Sequence, residues 1–231
     1  MKCLILGDGQ LGTELQLQTD WDYISREKDG IRIELPETFF ETLKKYDVII
    51  NCIAYTNTMH NEKQPHWNVN YLGVIDLANN CNILKKKLVH ISTDYIYANS
   101  KPEASEEDVP VHLGNWYTYT KLLADGYVQA VSKDYLLIRT TFRPRPYPFP
   151  KAWLDHLTNA DYTDVIAEKI IKLIEKEETG VFNVGTEIKT LLSLAKETVP
   201  TCTPMMDDNK YLRPKDVTMN LNKINKINKL I

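Results

Sequence analysis

Strand-sized apolar runs alternate with helix-spaced segments along most of the chain. Residues 2–6 (KCLIL) are a short, nearly continuous apolar run, and residues 10–18 (QLGTELQLQ) follow with helical spacing. Residues 21–25 (WDYIS) and 31–35 (IRIEL) predict a second and a third strand, and residues 37–46 (ETFFETLKKY) a helix. Residues 47–54 (DVIINCIA) are apolar almost throughout, as expected of a strand covered on both faces. A long amphipathic helix is predicted over 68–83, with Val69, Leu72, Ile75 and Leu77 on one face and Val74 beside them. A strand over 87–93 (KLVHIST), a helix over 115–131 and a strand over 135–140 (YLLIRT) continue the alternation. Such a chain predicts an α/β fold: a doubly wound parallel sheet (Rossmann fold) with right-handed crossovers. Ligands of these sheets sit outside the carboxyl ends of the strands, so residues that follow strands matter most.

The texture changes after Thr141. Residues 142–150 (FRPRPYPFP) carry four prolines in nine positions, which excludes helix and central strand and marks a rigid extended connector. A nucleotide-binding domain over 1–141 and a reduced region over 142–231, interleaved with the first, are expected. Within the second, residues 164–178 predict a helix, 181–184 (VFNV) a strand and 191–199 a helix. The tail LNKINKINKLI reads as a short terminal helix or a frayed end.

Composition narrows the function classes. The formal net charge is -3, which gives no electrostatic case for nucleic acid or an anionic membrane. The apolar runs are too short for a membrane span, and the N-terminal run is too short for a signal peptide. Cys3, Cys52, Cys81 and Cys202 form no CxxC pair, and Cys3 and Cys52 fall in expected buried strands; all four read as reduced thiols of a cytoplasmic protein. His60, His66, His112 and His156 lack metal spacing, so no metal is expected; His90 reads as a buried strand residue.

The sequence GDGQLG places Gly7, Gly9 and Gly12 between a strand and a helix, the context in which G-x-G-x-x-G signals a dinucleotide. Gly7 permits the turn, Gly9 lets the backbone approach a pyrophosphate, and Gly12 lets helix and strand pack closely. Gln10 and Leu11 open the helix whose free N–H groups face the anion. The carboxylate that usually holds the ribose should end the second strand. Ser25 and Arg26 stand there instead and suit a 2′-phosphate, which favours NADP(H) with NAD(H) as the alternative. The competing reading of Arg26 is a solvated loop charge.

Tyr117 and Lys121 lie four residues apart on one helix face. An ammonium beside a phenol is expected to lower its pKa towards the working pH, so that the tyrosine can pass a proton to a carbonyl oxygen. Ser92, Thr93 and Asp94 follow a strand at the ligand edge, where a hydroxyl could donate to developing oxyanion charge.

Together these residues resemble the extended short-chain dehydrogenase/reductase superfamily, nearest to the dTDP-4-dehydrorhamnose reductases and related nucleotide-sugar reductases. The likeness is carried by GDGQLGTEL, DVIINCIAYTNTMHNE, NVNYLGVIDLA, HISTDYIY, YTYTKLLAD and IRTTFRP. It implies NADP(H)-dependent reduction of a 4-keto-6-deoxy sugar nucleotide, with Tyr117 as acid, Lys121 as ribose anchor, and Thr93 with Asp94 at the substrate carbonyl. It implies that Cys52, Ile53, Ala54, Tyr55, Ser92 and Thr140 line the cofactor, that Thr141 helps shape the pocket, and that Arg139 is structural or close to the cofactor. Arg143, Arg145 and Arg213 are candidates for the substrate diphosphate, with ordinary surface arginine as the competing reading. A homodimer is a possible assembly. The chain departs from the family in its glycine loop, one residue shorter than G-x-x-G-x-x-G, in Arg32 where an aspartate is usual, and in a shortened region after Thr141. The alternatives are an epimerase of the same superfamily, or a non-catalytic NADP-binding regulatory subunit.

Overall fold

The computed structural model describes residues 1–58, 62–206 and 214–228. Its centre is a parallel sheet of six strands: β1 (Cys3–Leu6), β2 (Asp22–Ile24), β3 (Val48–Asn51), β4 (Lys87–Ile91), β5 (Tyr135–Thr140) and β6 (Gly180–Val184). Their spatial order is β6-β5-β4-β3-β1-β2. The register sets Leu4 beside both Asp22 and Ile49, Ile49 beside Leu88, and Val89 beside Leu136.

Alternation along β1 divides the core into two layers. Cys3 and Ile5 join the cluster that includes Leu11 and Leu15 of α1 (Gln10–Gln18). Leu4 and Leu6 join the opposite cluster, against Val74 and Leu77 of α2 (Gly73–Leu84) and Val128 of α3 (Trp116–Val131). Each fully buried aliphatic side chain of this kind contributes about 1.5–3 kcal/mol. After the proline-rich connector the chain returns to the sheet: α4 (Thr163–Glu175) packs in the α1 layer, and β6 pairs with β5. Residues 147–162 and α5 (Leu191–Thr198) enclose a separate small cluster around Tyr147, Tyr162 and Leu194. Asn222–Asn228 form the helical part of the tail. No helix among the described residues is long and apolar enough to cross a membrane.

Three expectations need correction. Residues 31–35 are not a strand: Arg32 and Leu35 form one bridge across a turn, followed by the 3-10 turn Pro36–Thr38. Ile31 and Ile33 are buried, so the alternation reported burial without sheet pairing. The helix over 37–46 shrinks to that turn and Phe40–Leu43. The buried face of α2 is Val74, Leu77, Ala78 and Cys81, while Leu72 is exposed. The wider π-turn over His66–Leu72 rotates that segment away from a regular helical register.

Candidate active site

The helix after β1 crosses to β2, whereas β3 lies on β1's other side, so the sheet's switch point opens between β1 and β3. Gly7 sits there with φ 97°, a conformation glycine adopts freely. A Cβ on Gly12 would lie 2.1 Å from the carbonyl oxygen of Gly7, so the third glycine is sterically required. Gly9, by contrast, has open space beside it and caps α1 without a side chain, leaving N–H groups for an anion.

Two adjoining cavities meet at Gly9, Cys52 and Ala54. One, of about 370 Å³, is also lined by Gln10, Leu11, Thr56, Ile91, Ser92, Thr93, Tyr117, Lys121 and Thr140 to Arg143. The other, of about 260 Å³, is lined by Gly7, Asp8, Arg26, residues 31–34, Ile53, Tyr55 and Val69. The structure thus brings most of the expected cofactor residues to one continuous trough. Ser25 is fully buried and its hydroxyl oxygen accepts from the Lys28 N–H at 3.2 Å, so it caps the turn that presents Arg26. Arg32, which stands at the usual aspartate position, lines the same cavity and pairs with Glu34 at 2.8 Å.

On the other wall, Asn115 caps α3 by accepting from the Thr118 N–H at 2.9 Å, which fixes where Tyr117 emerges. Thr93 caps the turn Asp94–Tyr97, donates to Asp94 Oδ1 at 3.2 Å, and lines the larger cavity beside Tyr117. Tyr117 packs edge-on against His66 and Tyr95. Lys121 is 2% exposed and donates to the carbonyl oxygen of Ile91 at 2.6 Å. Burial lowers its amine to about 8, against the opposing pull of Asp125 and Cys52.

The expected lowering of the Tyr117 pKa is corrected. Burial pushes the phenol up to about 12, and Asp94 and Tyr95 add to the rise; Thr93 and Arg143 oppose it, and Lys121 is not among the leading causes. Asp94 is also raised, to about 7, because burial outweighs the attraction of Arg143 and the hydrogen bond from Thr93. Its second carboxylate oxygen lacks a partner among the described residues, as does the Thr140 hydroxyl.

Arg139 is structural: it clasps Asp125 at 3.0 and 2.9 Å and reaches the Tyr97 hydroxyl. Ser92 lines the cavity, yet its hydroxyl donates to that same Asp125 at 3.1 Å. Arg143 and Thr141 line the large cavity, whereas Arg145 lies outside both, paired with Asp164 at 2.9 Å and stacked over Tyr162. Arg213 and His60 lie outside the described residues. His66 packs into the site. Its ring meets those of Tyr55 and Tyr117, and Nε2 is 3.0 Å from the Asn57 carbonyl. Asn70 holds both backbone polar groups of Tyr55, at 2.8 and 2.9 Å. The asparagine pair in NVNYLG was the only signal for this clamp. Cys52 follows β3 at the trough floor, half-buried, and burial raises its thiol to about 12; all four cysteines are unpaired.

The profile of the RmlD substrate binding domain family matches residues 1–171. The chain belongs to this family. Among curated relatives, a dTDP-4-dehydrorhamnose reductase of Mycolicibacterium smegmatis is 35% identical over 102 residues, 42% of this chain and 30% of that protein. The spore coat polysaccharide biosynthesis protein SpsK of Bacillus subtilis is 27% identical over 207 residues, 80% of this chain and 73% of that protein. The match thus spans less than a third of the first relative and nearly three quarters of the second. Among solved structures, the dTDP-4-dehydrorhamnose reductase of Bacillus anthracis in complex with NADP shares the fold. Its TM-score is 0.84 at 22% identity, covering 98% of this chain and 93% of that one.

Proposed function

We propose that this RmlD-family chain is an NADP(H)-dependent reductase of a 4-keto-6-deoxy sugar nucleotide in deoxysugar biosynthesis, with NAD(H) as its weaker alternative. One observation carries the reading: Thr93, Tyr117 and Lys121 line a single cavity together with Gly9 of the glycine loop. The relatives' reductase activity and the NADP held by the Bacillus anthracis structure support the reaction class.

The trough suits a dinucleotide. Gly9 and the start of α1 offer backbone N–H groups to the pyrophosphate, Arg26 offers a guanidinium to a 2′-phosphate, and the buried Thr140 hydroxyl awaits an acceptor. A bound reduced nicotinamide supplies the hydride to the carbonyl carbon. Tyr117 then donates its proton to the carbonyl oxygen, and its raised pKa keeps the phenol protonated at neutral pH, the form an acid requires. Thr93 donates to the same oxygen and spreads the developing charge. Lys121 holds the ribose hydroxyls and, when protonated, steadies the phenolate. Asp94 borders the sugar, and Arg143 takes the diphosphate; Arg213 keeps that role on sequence grounds alone, while Arg145 is committed to Asp164. Burial of three of the four cysteines as free thiols supports a cytoplasmic enzyme, and we propose a homodimer, which sedimentation would test.

The decisive assay mixes the protein with dTDP- and UDP-4-keto-6-deoxyhexoses and NADPH and follows loss of the reduced cofactor's absorbance. Consumption that stops in Tyr117→Phe is expected. Tight NADPH binding without consumption on any of these sugars would instead favour a regulatory, cofactor-binding subunit. In parallel, Arg26→Ala should weaken NADPH by roughly 10–100-fold, the worth of a charged hydrogen bond, and leave NADH nearly unchanged. Equal losses would sink the 2′-phosphate assignment.

A further inference from the structure

Beneath the cavity floor lies a polar chain that the proposed reaction does not use. It begins at the backbone N–H of Ile53, which donates to Asn51 Oδ1 at 3.0 Å. That bond fixes which way the Asn51 amide faces, because the opposite orientation would set two donors against each other. Asn51 Nδ2 therefore points at His90, 3.1 Å from Nδ1. An amide nitrogen only donates, so Nδ1 must be the accepting nitrogen of a neutral ring, and the ring proton is on Nε2. Nε2 in turn lies 3.5 Å from Lys121 Nζ. The imidazole is fully buried in β4, and burial, then the charge of Lys121, drives its pKa well below the ordinary histidine value.

We propose that His90 is a positioning residue for Lys121: a neutral imidazole, locked by Asn51 with its proton on Nε2, that presents an N–H to the lysine nitrogen and thereby favours the uncharged amine. An ammonium at Nζ would set an N–H⁺ against this N–H, whereas a neutral amine can accept from it while still donating to Ile91. The other groups facing Lys121 pull the opposite way or are neutral. Asp125, one turn further along α3, favours the ammonium, as does a charged Cys52 from beyond β3, but burial keeps that thiol protonated. Asp125 is itself held by Arg139, Ser92 and Gln129. Tyr117, one turn earlier, is a neutral phenol. The lowered lysine pKa agrees in direction with this arrangement. The chain also couples the two walls, because Ile53 lines the smaller cavity and Lys121 the larger. The catalytic consequence rests on the reductase reading; the protonation states do not.

Two measurements on the protein without nucleotide or sugar test the states themselves. In ¹⁵N spectra of histidine-labelled protein, the ring in contact with Asn51 should carry its proton on Nε2 and stay neutral through the range where exposed histidines titrate. A proton on Nδ1, or a titrating ring, overturns the inference. In His90→Gln the side-chain carbonyl can turn towards Nζ and accept from it. The Lys121 amine, followed through its neighbouring methylene signal and assigned by its loss in Lys121→Met, should then titrate about one pH unit higher. The alkaline fall in reductase turnover should move up by the same amount. An unchanged lysine titration, with turnover lowered evenly at all pH values, would make His90 a packing residue only. If no sugar is turned over at all, the two spectroscopic readings still decide the protonation states separately from the reductase reading.

Discussion

Arg139 and Lys121 are both buried basic side chains near the carboxyl edge of the sheet, each 2% exposed, yet their surroundings differ sharply. Arg139 meets a full carboxylate, bidentate, and the Tyr97 hydroxyl, while Ser92 and Gln129 add two more bonds to the same Asp125. Lys121 has one carbonyl oxygen and an imidazole edge. Around Arg139 the charges and hydrogen bonds close on themselves. On the cavity side they are left incomplete: Asp94 and Thr140 each bury an oxygen without a partner among the described residues, Thr140 lining the larger cavity and Asp94 a small pocket that shares Thr141 and Arg143 with it. Burying polar groups costs free energy unless they are satisfied. The closed cluster therefore reads as a strut, and the incomplete one as a surface prepared for something not supplied by the chain.

The largest expected effect separates the two by what is lost. Tyr117→Phe should lower turnover by roughly 10²–10⁴-fold, the usual worth of a positioned acid, while denaturant unfolding stays within about 1 kcal/mol of the parent. Asp125→Ala should do the reverse, costing about 3–5 kcal/mol of stability because it strands the Arg139 charge. A Tyr117→Phe protein that unfolds as easily as Asp125→Ala would make Tyr117 part of the strut as well.

A smaller effect tests the incomplete side through pH. Burial raises Asp94 to about 7, above its ordinary value of 3.8. A carboxyl raised on folding binds its proton more tightly in the native state, so its contribution is fully present below the unfolded pKa. It is lost as pH rises through the folded pKa, at up to about 1.4 kcal/mol per pH unit. Stability measured by urea unfolding should therefore fall across the interval from 3.8 to about 7, and Asp94→Asn should flatten that part of the profile. An identical slope in both proteins would mean that Asp94 is charged in the fold.

The incomplete cluster was easier to read from the sequence than the closed one. Glycine spacing, the Tyr117–Lys121 interval and a hydroxyl after a strand are local patterns that backbone geometry converts directly into placement. The Asp125–Arg139 clasp joins residues 14 apart on a helix and a strand, and nothing local distinguishes that aspartate from a surface one. The Asn51–His90 contact spans 39 residues and was equally hidden. Ile31 and Ile33 alternate like a strand because both are buried, but Pro36 and the Arg32–Leu35 turn prevent pairing. The helix face slipped because the π-turn over His66–Leu72 changes the residue count per turn. Spacing alone set Tyr117 beside an ammonium, whereas Lys121 is directed to Ile91 and burial governs the phenol.

The smallest effect is the sharpest test of the idea that an unmet group marks a binding surface. The Thr140 hydroxyl is buried at the end of β5 with no partner among the described residues, and it lines the large cavity. Valine has nearly the same shape and no hydroxyl. If Thr140 served the fold, Thr140→Val would cost the hydrogen bond it makes, about 1 kcal/mol. With no bond to lose, the change should instead be neutral or raise stability by up to about 1 kcal/mol, because an unsatisfied hydroxyl is no longer buried. The cost should appear in binding, as an NADPH affinity weaker by several-fold to about tenfold, consistent with one neutral hydrogen bond. Stability and affinity thus move in opposite directions at Thr140, whereas loss of an Asp125 bond would lower stability alone. A Thr140→Val protein that is less stable and binds NADPH unchanged would place Thr140 with the strut.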